Sequence, residues 1–221
     1  MSLIVTTEFE LNQVAAPNLP LAPTVYERQY QDQLNNILRL YFNRLDAILD
    51  QLKTGSGAID GSGIRFPYGA FSSDQDQPTT VNTETLMTLN TTDFSNGVGL
   101  DIGSKIKVTT AGIYNLQFST QFQNFDNAPQ DIFIWLKQNG TDITGSTGKV
   151  GLPARKSAGD PYHDIKGWNY FLSMNADDYV QIYWSTTNAL VTIDHYPASA
   201  TPTKPSTQSV VATLSFVSAL P

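Results

Sequence analysis

The stretch that decides the fold is 112-GIYNLQFSTQF-122. Its large apolar side chains recur at every second position, and uncharged polar residues stand between them. A period of two is the pattern of a β-strand with one face buried. The apolar positions include Tyr114, Leu116, Phe118 and Phe122, and the polar ones are Asn115, Gln117, Ser119 and Gln121.

Similar patterns continue toward the C-terminus. Residues 132–137 alternate in the same way and end at Asn139-Gly140, a dipeptide typical of a two-residue hairpin turn. Further strands are predicted at 168–173, 179–184, 190–195 and 209–218, with a turn at 175–178. Many short strands without a helix between them predict a mainly β protein built as a sandwich or jelly roll.

Toward the N-terminus, residues 55–63 are rich in Gly and Ser and predict a flexible joint. Residues 24–54 before it predict one long helix from Val25 to Lys53, with a capping box of Thr24 and Glu27. Apolar residues at steps of four and three form a coiled-coil seam, comprising Tyr30, Leu34, Leu38, Tyr41, Leu45, Ile48 and Leu52.

The apolar stripe of this helix is wider than a two-stranded seam requires, because it also holds Ile37, Leu40, Phe42 and Leu49. A lone helix cannot hide that surface, so the pattern favours a trimeric stalk. The alternative is a helix that packs on its own β-domain.

Residues 1–23 contain a proline-spaced run from Pro17 to Pro23 that cannot be helical. The segment is either a disordered tail or a docking arm ordered against a partner. As a docking arm it would bury Leu3, Ile4, Val5, Phe9, Leu19 and Leu21, together with Leu11.

Residues 64–221 resemble the C1q and tumour-necrosis-factor-like jelly rolls. The motif 111-AGIYNLQF-118, with Gly112, Tyr114 and Phe118, is similar to the family's G-x-Y-x-F strand. The hairpin 134-IWLKQNG-140, with Trp135, Asn139 and Gly140, is similar to the family's L-x-K-N-G hairpin. The segment 177-DDYVQI-182, with Asp178 and Val180, is similar to its G-D-x-V-x-L strand. The segment 213-TLSFV-217, with Phe216, is similar to its last strand.

The sequence departs from the family pattern at two places: Asp177 stands where glycine is usual, and the last strand lacks a Ser-Gly step. The family assembles as trimers around a threefold axis, often with a trimeric stalk. The resemblance therefore implies a jelly-roll head that trimerises, which agrees with the separate indication from the helix.

A second resemblance concerns the N-terminal part. Segments 19-LPLAPTVY-26 and 38-LRLYFNRLD-46 resemble the N-terminal parts of virion appendage proteins of marine tailed phages. This resemblance implies a virion protein that is made in the cytoplasm of a host bacterium.

Composition narrows the function further. The formal charge of −7 and the lack of a basic run argue against nucleic-acid binding. The absence of cysteine excludes disulfides and thiolate metal sites. No secretion signal, membrane anchor or cofactor motif is recognised, and we expect no cofactor.

Candidates for chemistry are few. His163 beside Asp164 and His195 beside Asp194 point to opposite faces if they lie on strands, so neither dipeptide makes an acid-base pair by itself. The segments 72–77 and 126–131 hold oxygen ligands suited to Ca²⁺ but lack EF-hand spacing, and solvated loops are the preferred interpretation. We expect no catalytic residue and no metal.

Aromatic residues suggest another role, since they can stack on the sugar rings of a host surface polymer. Core or trimer-interface positions are the preferred interpretation for Tyr162, Trp168, Tyr170, Tyr183, Trp184 and Tyr196.

The sequence thus predicts a non-enzymatic, homotrimeric phage structural protein, either a capsid decoration protein or a head fibre, anchored to other virion proteins by residues 1–23. A tail fibre or an adaptor that binds a host surface glycan is the alternative, and a hydrolytic tailspike is a more distant one.

Overall fold

The computed structural model describes residues 17–21, 24–54 and 66–221. The chain divides into two units, residues 1–65 and 66–221. The predicted joint at 55–63 and most of the predicted arm lie outside the described residues.

The first unit contains the helix α1, Arg28–Thr54. It begins three residues later than predicted, because the chain bends at Thr24 and Val25 and the first intrahelical bond runs from Gln31 N to the carbonyl of Glu27. The capping box is therefore wrong, and Glu27 is the N-cap residue. Thr24 and Val25 are β-branched and favour the helix little, so they stay outside it.

The second unit is built of antiparallel strands. The fifteen strands among the described residues are β1 Tyr68–Ser73, β2 Thr85–Leu86, β3 Thr91–Asn96, β4 Val98–Asp101, β5 Lys105–Val108, β6 Gly112–Asn124, β7 Gln130–Gln138, β8 Thr141–Asp142, β9 Gly148–Leu152, β10 Tyr162–Met174, β11 Tyr179–Thr186, β12 Val191–Ile193, β13 Ser199–Ala200, β14 Thr203–Lys204 and β15 Val210–Ser218.

These strands form two large sheets and one small hairpin. The six-stranded sheet has the order β10-β6-β15-β1-β3, and β12 also pairs with β6. The seven-stranded sheet has the order β4-β5-β11-β7-β8, with β2 beside β11 and β9 beside β7. Strands β13 and β14 pair only with each other. The mainly β prediction is thus confirmed.

One hydrophobic cluster joins the two large sheets. Strand β6 contributes Tyr114, Leu116, Phe118 and Phe122 from one sheet, and the other sheet contributes Ile132, Ile134, Leu136, Val180, Ile182 and Trp184. The alternation at 112–122 is confirmed, since the burial of β6 changes with nearly every residue. Each large sheet therefore has one face in this core and one face directed away from it.

Strand β10 is longer than the predicted 168–173. It continues through Gly167, which pairs with Ser119 of β6. A Cβ atom at Gly167 would lie 2.1 Å from the carbonyl oxygen of Phe118, so only glycine fits there. Similarly, Ser72 and Ser73 belong to β1 instead of the predicted loop at 72–77.

Candidate functional site

The face of the six-stranded sheet that points away from the core is the first candidate site. Cross-strand pairing places Phe171, Asn115 and Ser215 side by side, and Asn169, Gln117 and Thr213 in the next row. None of the outward positions of β6, β10 and β15 carries Lys, Arg, Asp or Glu. We call this surface the uncharged face.

Large apolar side chains are exposed on the uncharged face. Ile165 is 64% exposed and Phe171 57%, and both belong to β10. Val211 and Val217 of β15 are exposed as well. An isolated apolar side chain on a surface is ordinary, but apolar groups spread over one face without charges are typical of a surface that binds a protein.

Strands β1 and β3 of the same sheet also carry exposed apolar side chains. Tyr68 and Phe94 are exposed, and their rings meet edge to face with centroids 6.0 Å apart. Phe94 lies opposite Ala70 in the pairing of the two strands. Exposed aromatic groups thus occupy the β3 edge of the sheet as well as its β10 edge.

Charged residues of β10 lie on the opposite side of the sheet. Lys166 Nζ is 2.7 Å from Asp164 Oδ2, and Tyr162 donates a hydrogen bond to the same carboxylate. Burial acts to raise the pKa of Asp164, but the bonds from Lys166 and Tyr162 outweigh it and the pKa is lowered. Lys166 and Asp164 therefore pair with each other on the side of the sheet opposite to the uncharged face.

One end of the uncharged face is polar. The Tyr196 hydroxyl lies 2.8 Å from His163 Nδ1 and donates a hydrogen bond to Gln123 Oε1 over 3.3 Å. Burial raises the pKa of Tyr196 to about 12, and the charges of Asp194 and Asp76 act in the same direction. This tyrosine remains a neutral hydroxyl that ties the 194–208 segment to the sheet.

Asp194 is buried next to this end. Asp194 is only 6% exposed, and burial, with a further effect of the Asp76 charge, raises its pKa to about 6. The backbone N–H of His195 donates to Asp76 Oδ1 over 2.8 Å. Asp164 of the His163-Asp164 pair is thus bound by Lys166 and Tyr162, whereas Asp194 of the Asp194-His195 pair is buried.

Within residues 17–21, 24–54 and 66–221, neither histidine pairs with a carboxylate in a salt bridge, and no group of three or more His, Asp or Glu side chains is placed to hold a metal. Carboxylates of the two Asp-rich segments accept hydrogen bonds from their own chain, such as Asp74 from Asn90 and Asp126 from Asn188. The non-enzymatic role stays a prediction.

The motif residues of the resemblance have four kinds of surroundings. Tyr114, Phe118 and Val180 are core residues, and Phe216 packs against that core. Gly112 gives space to the Phe216 ring, since a Cβ atom there would lie 2.3 Å from it. Asn139 and Gly140 form the turn after β7, and Asn139 donates a hydrogen bond to Asp178 in the turn before β11. Trp135 lies on the outer face of the other sheet.

Only part of the residues predicted to form a stalk seam and a docking arm belongs to the described part of the first unit. Leu34, Leu38, Tyr41, Leu45 and Ile48 are half-buried on the single helix, whereas Leu40, Phe42 and Leu49 are about half exposed. Leu19 and Leu21 are exposed, Leu21 to 95%. Leu3, Ile4, Val5, Phe9 and the side chain of Leu52 lie outside the described residues.

Most of the aromatic candidates for sugar stacking pack inside the second unit. Trp184 is fully buried, and Trp168 meets Phe118 edge to face at 4.9 Å. Tyr162 and Tyr170 also pack against the core, while Tyr196 is held by His163. Of these, Tyr183 alone points outward, beside Trp135.

Sequence reasoning missed the uncharged face. The available signal was in β10, where Ile165 and Phe171 alternate with Tyr162, Trp168 and Tyr170, so both sides of the strand carry large apolar groups. A strand with two apolar sides needs a second partner surface.

Neither known protein-family models nor curated protein sequences gave a match to this chain. In the part of the chain that the structure describes, no helix has the length and apolar character needed to span a membrane.

Proposed function

We propose that the chain is a homotrimeric structural protein of a tailed-phage particle, either a capsid decoration protein or a head fibre. Its second unit would be a C1q/tumour-necrosis-factor-like jelly-roll head, α1 a coiled-coil stalk, and residues 1–23 the docking arm. The observation that carries the proposal is the uncharged face, since self-association would cover its exposed apolar groups.

The strand order supports the jelly roll. In the six-stranded sheet β6 lies between β10 and β15, and in the other sheet β11 lies between β5 and β7, so most neighbours are distant in the chain. Two antiparallel sheets with such long connections around one core are typical of jelly rolls and related Greek-key sandwiches.

Assembly of three chains around a threefold axis fits the chemistry of the uncharged face. Burying apolar surface stabilises association by about 25 cal/mol per Å², and amide and hydroxyl side chains can exchange water for hydrogen bonds across an interface. No charge has to be removed from water on that face. A heterologous contact repeated around a threefold axis would cover the face in every copy.

The helix supports the same oligomer. Its half-buried seam is flanked by Leu40, Phe42 and Leu49, which remain exposed on the single chain. Three parallel helices would bury both the seam and this flank. The exposed Leu19 and Leu21 are in turn suited to burial against another virion protein.

The virion role rests on the resemblance of the N-terminal segments to phage appendage proteins. The test is to purify particles from a lysate of the source phage and to detect the chain by mass spectrometry. We expect the chain in intact particles, and its absence from them would contradict the proposal.

A second experiment tests the arm. Deletion of residues 1–23 is expected to leave a folded trimer that no longer joins particles, because α1 and the strands begin after the arm. Replacement of Leu3, Ile4, Val5 and Phe9 by Ser is the matched control that keeps the chain length. If both variants are incorporated normally, the chain is attached to the particle by the stalk or the head and not by residues 1–23.

A tail fibre or glycan-binding adaptor remains the second candidate. The outward Tyr183 beside Trp135 favours it, since exposed aromatic rings are what a sugar-binding head requires.

A further inference from the structure

A second surface of interest lies on the seven-stranded sheet, on the face directed away from the core. Trp135 of β7 and Tyr183 of β11 are directly opposite each other across the strands. Their rings are nearly parallel, with an angle of 25° and centroids 6.1 Å apart. Both residues are partly exposed. They form the centre of what we call the aromatic strip, which also includes Phe133 and Tyr179.

Charged groups surround the central pair. Trp135 Nε1 donates a hydrogen bond to Asp142 Oδ1 over 2.9 Å. Lys137 Nζ is 2.7 Å from Glu84 and 3.6 Å from Asp142, and it also lies 4.7 Å from the centroid of the Tyr183 ring. Hydrogen-bond acceptors and one ammonium donor thus converge beside two aromatic rings.

The acceptors at this point are open to water. The side chain of Glu84 is 46% exposed and that of Asp142 65% exposed, whereas Lys137 is covered to a large extent. The hydrogen bond to Glu84 is the main reason why the pKa of Lys137 is raised, so its ammonium group stays charged. A ligand on the aromatic pair would therefore meet two free carboxylate edges.

The same combination of groups recurs along the strip. Phe133 lies two positions before Trp135, about 7 Å along the strand, and Lys149 approaches its ring to 5.7 Å while pairing with Asp131. Tyr179 has Lys105 at 4.7 Å from its ring centroid, and Lys107 of the same strand pairs with Asp177. Aromatic ring, lysine and carboxylate are repeated on this face.

This chemistry fits a chain of neutral sugars. A pyranose ring has an apolar C–H face that stacks on an aromatic ring, and its hydroxyls both donate and accept hydrogen bonds. Carboxylates accept from hydroxyls and ammonium groups donate to them. A repeated set of such groups suits several linked rings better than one ring.

The charge of the strip disfavours anionic polymers. Lys107, Lys137 and Lys149 each already pair with a carboxylate, and the whole chain has a formal charge of −7. An anionic glycan or a nucleic acid would meet exposed Glu84, Asp142 and Asp131 and be repelled by them.

We infer that the aromatic strip is a binding surface for neutral polysaccharide, with Trp135 and Tyr183 stacking on pyranose rings and with the exposed carboxylates of Glu84 and Asp142, held in place by Lys137, accepting hydrogen bonds from their hydroxyls. The inference deepens the second candidate function, the glycan-binding adaptor, and rests on it, since it names the ligand class and the residues that bind it. It does not depend on trimer formation, because the aromatic strip and the uncharged face belong to different sheets. Trimer formation and sugar binding can therefore fail separately.

The experiment uses the full chain and an array of oligosaccharides of five to seven units. The neutral set contains polymers of glucose, galactose, mannose and N-acetylglucosamine, and the anionic set contains polymers of uronic acids. We expect binding to at least one neutral oligosaccharide, with about tenfold weaker binding in Trp135→Ala and in Tyr183→Ala. Tyr26→Ala, a change at a tyrosine of the first unit that is 78% exposed and belongs to neither surface, is the matched control and should bind as the parent does.

Two further substitutions are made at exposed residues, where they disturb the fold least. Glu84→Gln and Asp142→Asn change charge without removing a ring and should also weaken binding to the same oligosaccharide, by about threefold or more. Unfolding curves for all variants show that they are folded. The inference is overturned if no neutral oligosaccharide binds, if only the uronic-acid polymers bind, or if the folded Trp135 and Tyr183 variants bind as tightly as the Tyr26 control.

Discussion

Asp178 and Asn139 hold two turns of the second unit together. Asn139 Nδ2 donates to Asp178 Oδ1 over 2.7 Å, and Asn139 Oδ1 accepts a bond from the backbone N–H of Tyr179 over 3.0 Å. Asp178 also accepts from Gln138 Nε2 and from the backbone N–H of Asn175. The β7–β8 hairpin is thereby fixed to the turn before β11.

The first prediction concerns this contact. Burial acts to raise the pKa of Asp178, but the hydrogen bonds from Asn139, Asn175 and Gln138 lower it overall. Asp178→Ala should therefore reduce the free energy of unfolding at pH 7 by about 2 kcal/mol, since these donors lose a charged acceptor.

The pH dependence has a definite sign. The carboxylate stabilises the fold above its unfolded pKa of about 4, and this contribution is lost as the pH falls through the lower folded pKa. Urea unfolding of the parent and of Asp178→Ala should thus converge in acid. Equal stability at pH 7, or a difference that grows in acid, would contradict this role.

The second prediction concerns Gly112. A Cβ atom there would lie 2.3 Å from the Phe216 ring and 2.9 Å from the carbonyl oxygen of Ser218, and Phe216 also contacts Tyr114 and stacks on Phe66. Gly112→Ala should cost about 1–3 kcal/mol because the ring and backbone must shift. Gly99→Ala is the control, since nothing lies within 4 Å of its added Cβ. Thermal unfolding should show a loss for the first variant only.

The long strands could be predicted from the sequence because one rule governs each of them. Strands β6, β7 and β11 alternate over most of their length, and the Asn139-Gly140 turn has positive φ at both residues, as a two-residue hairpin requires. Asp177 also has a positive φ, a backbone conformation that favours glycine.

The short strands could not be predicted in that way. Strand β1 reads YGAFSS and β3 reads TTDFSN, and such small polar residues alternate too weakly to show which side is buried. Their pairing is set by contacts with β15 and with each other, over long distances in the chain. The uncharged face was missed for a different reason: β10 carries large apolar groups on both sides, and the sequence does not show which side the second sheet covers.

The third prediction concerns Asp194, whose pKa of about 6 is above the unfolded value. A raised pKa means that the charged form destabilises the fold at pH 7 and that stability increases as the pH falls from about 6 toward 4. Asp194→Asn should therefore raise the free energy of unfolding at pH 7 by about 2 kcal/mol and have little effect at pH 4. Asp74→Asn, a substitution at an exposed residue of the neighbouring loop, is the control and should not change stability in this pH-dependent way. If Asp194→Asn leaves the pH dependence of stability unchanged, the charged form of Asp194 does not destabilise the fold.

The fourth prediction concerns the stalk. Replacing Leu45 and Ile48 by Ser should weaken association, because each truncated seam residue typically costs about 2–5 kcal/mol and three chains repeat the loss. Asn43→Ser is the control on an exposed position of the same helix. Helical circular dichroism should decrease and melt earlier in the double variant. A helix signal as stable as that of the control would show that these residues form no seam.

Sedimentation equilibrium of the full chain at micromolar concentration tests the central claim most directly. We expect a mass of three times the 24.3 kDa of one chain, with little change between low and high salt, because the uncharged face contains no ion pairs to screen. Adding Ile165→Glu and Phe171→Glu should lower the mass, since each trimer would bury uncompensated charges. A parent chain that sediments as a monomer at every concentration would contradict the claim.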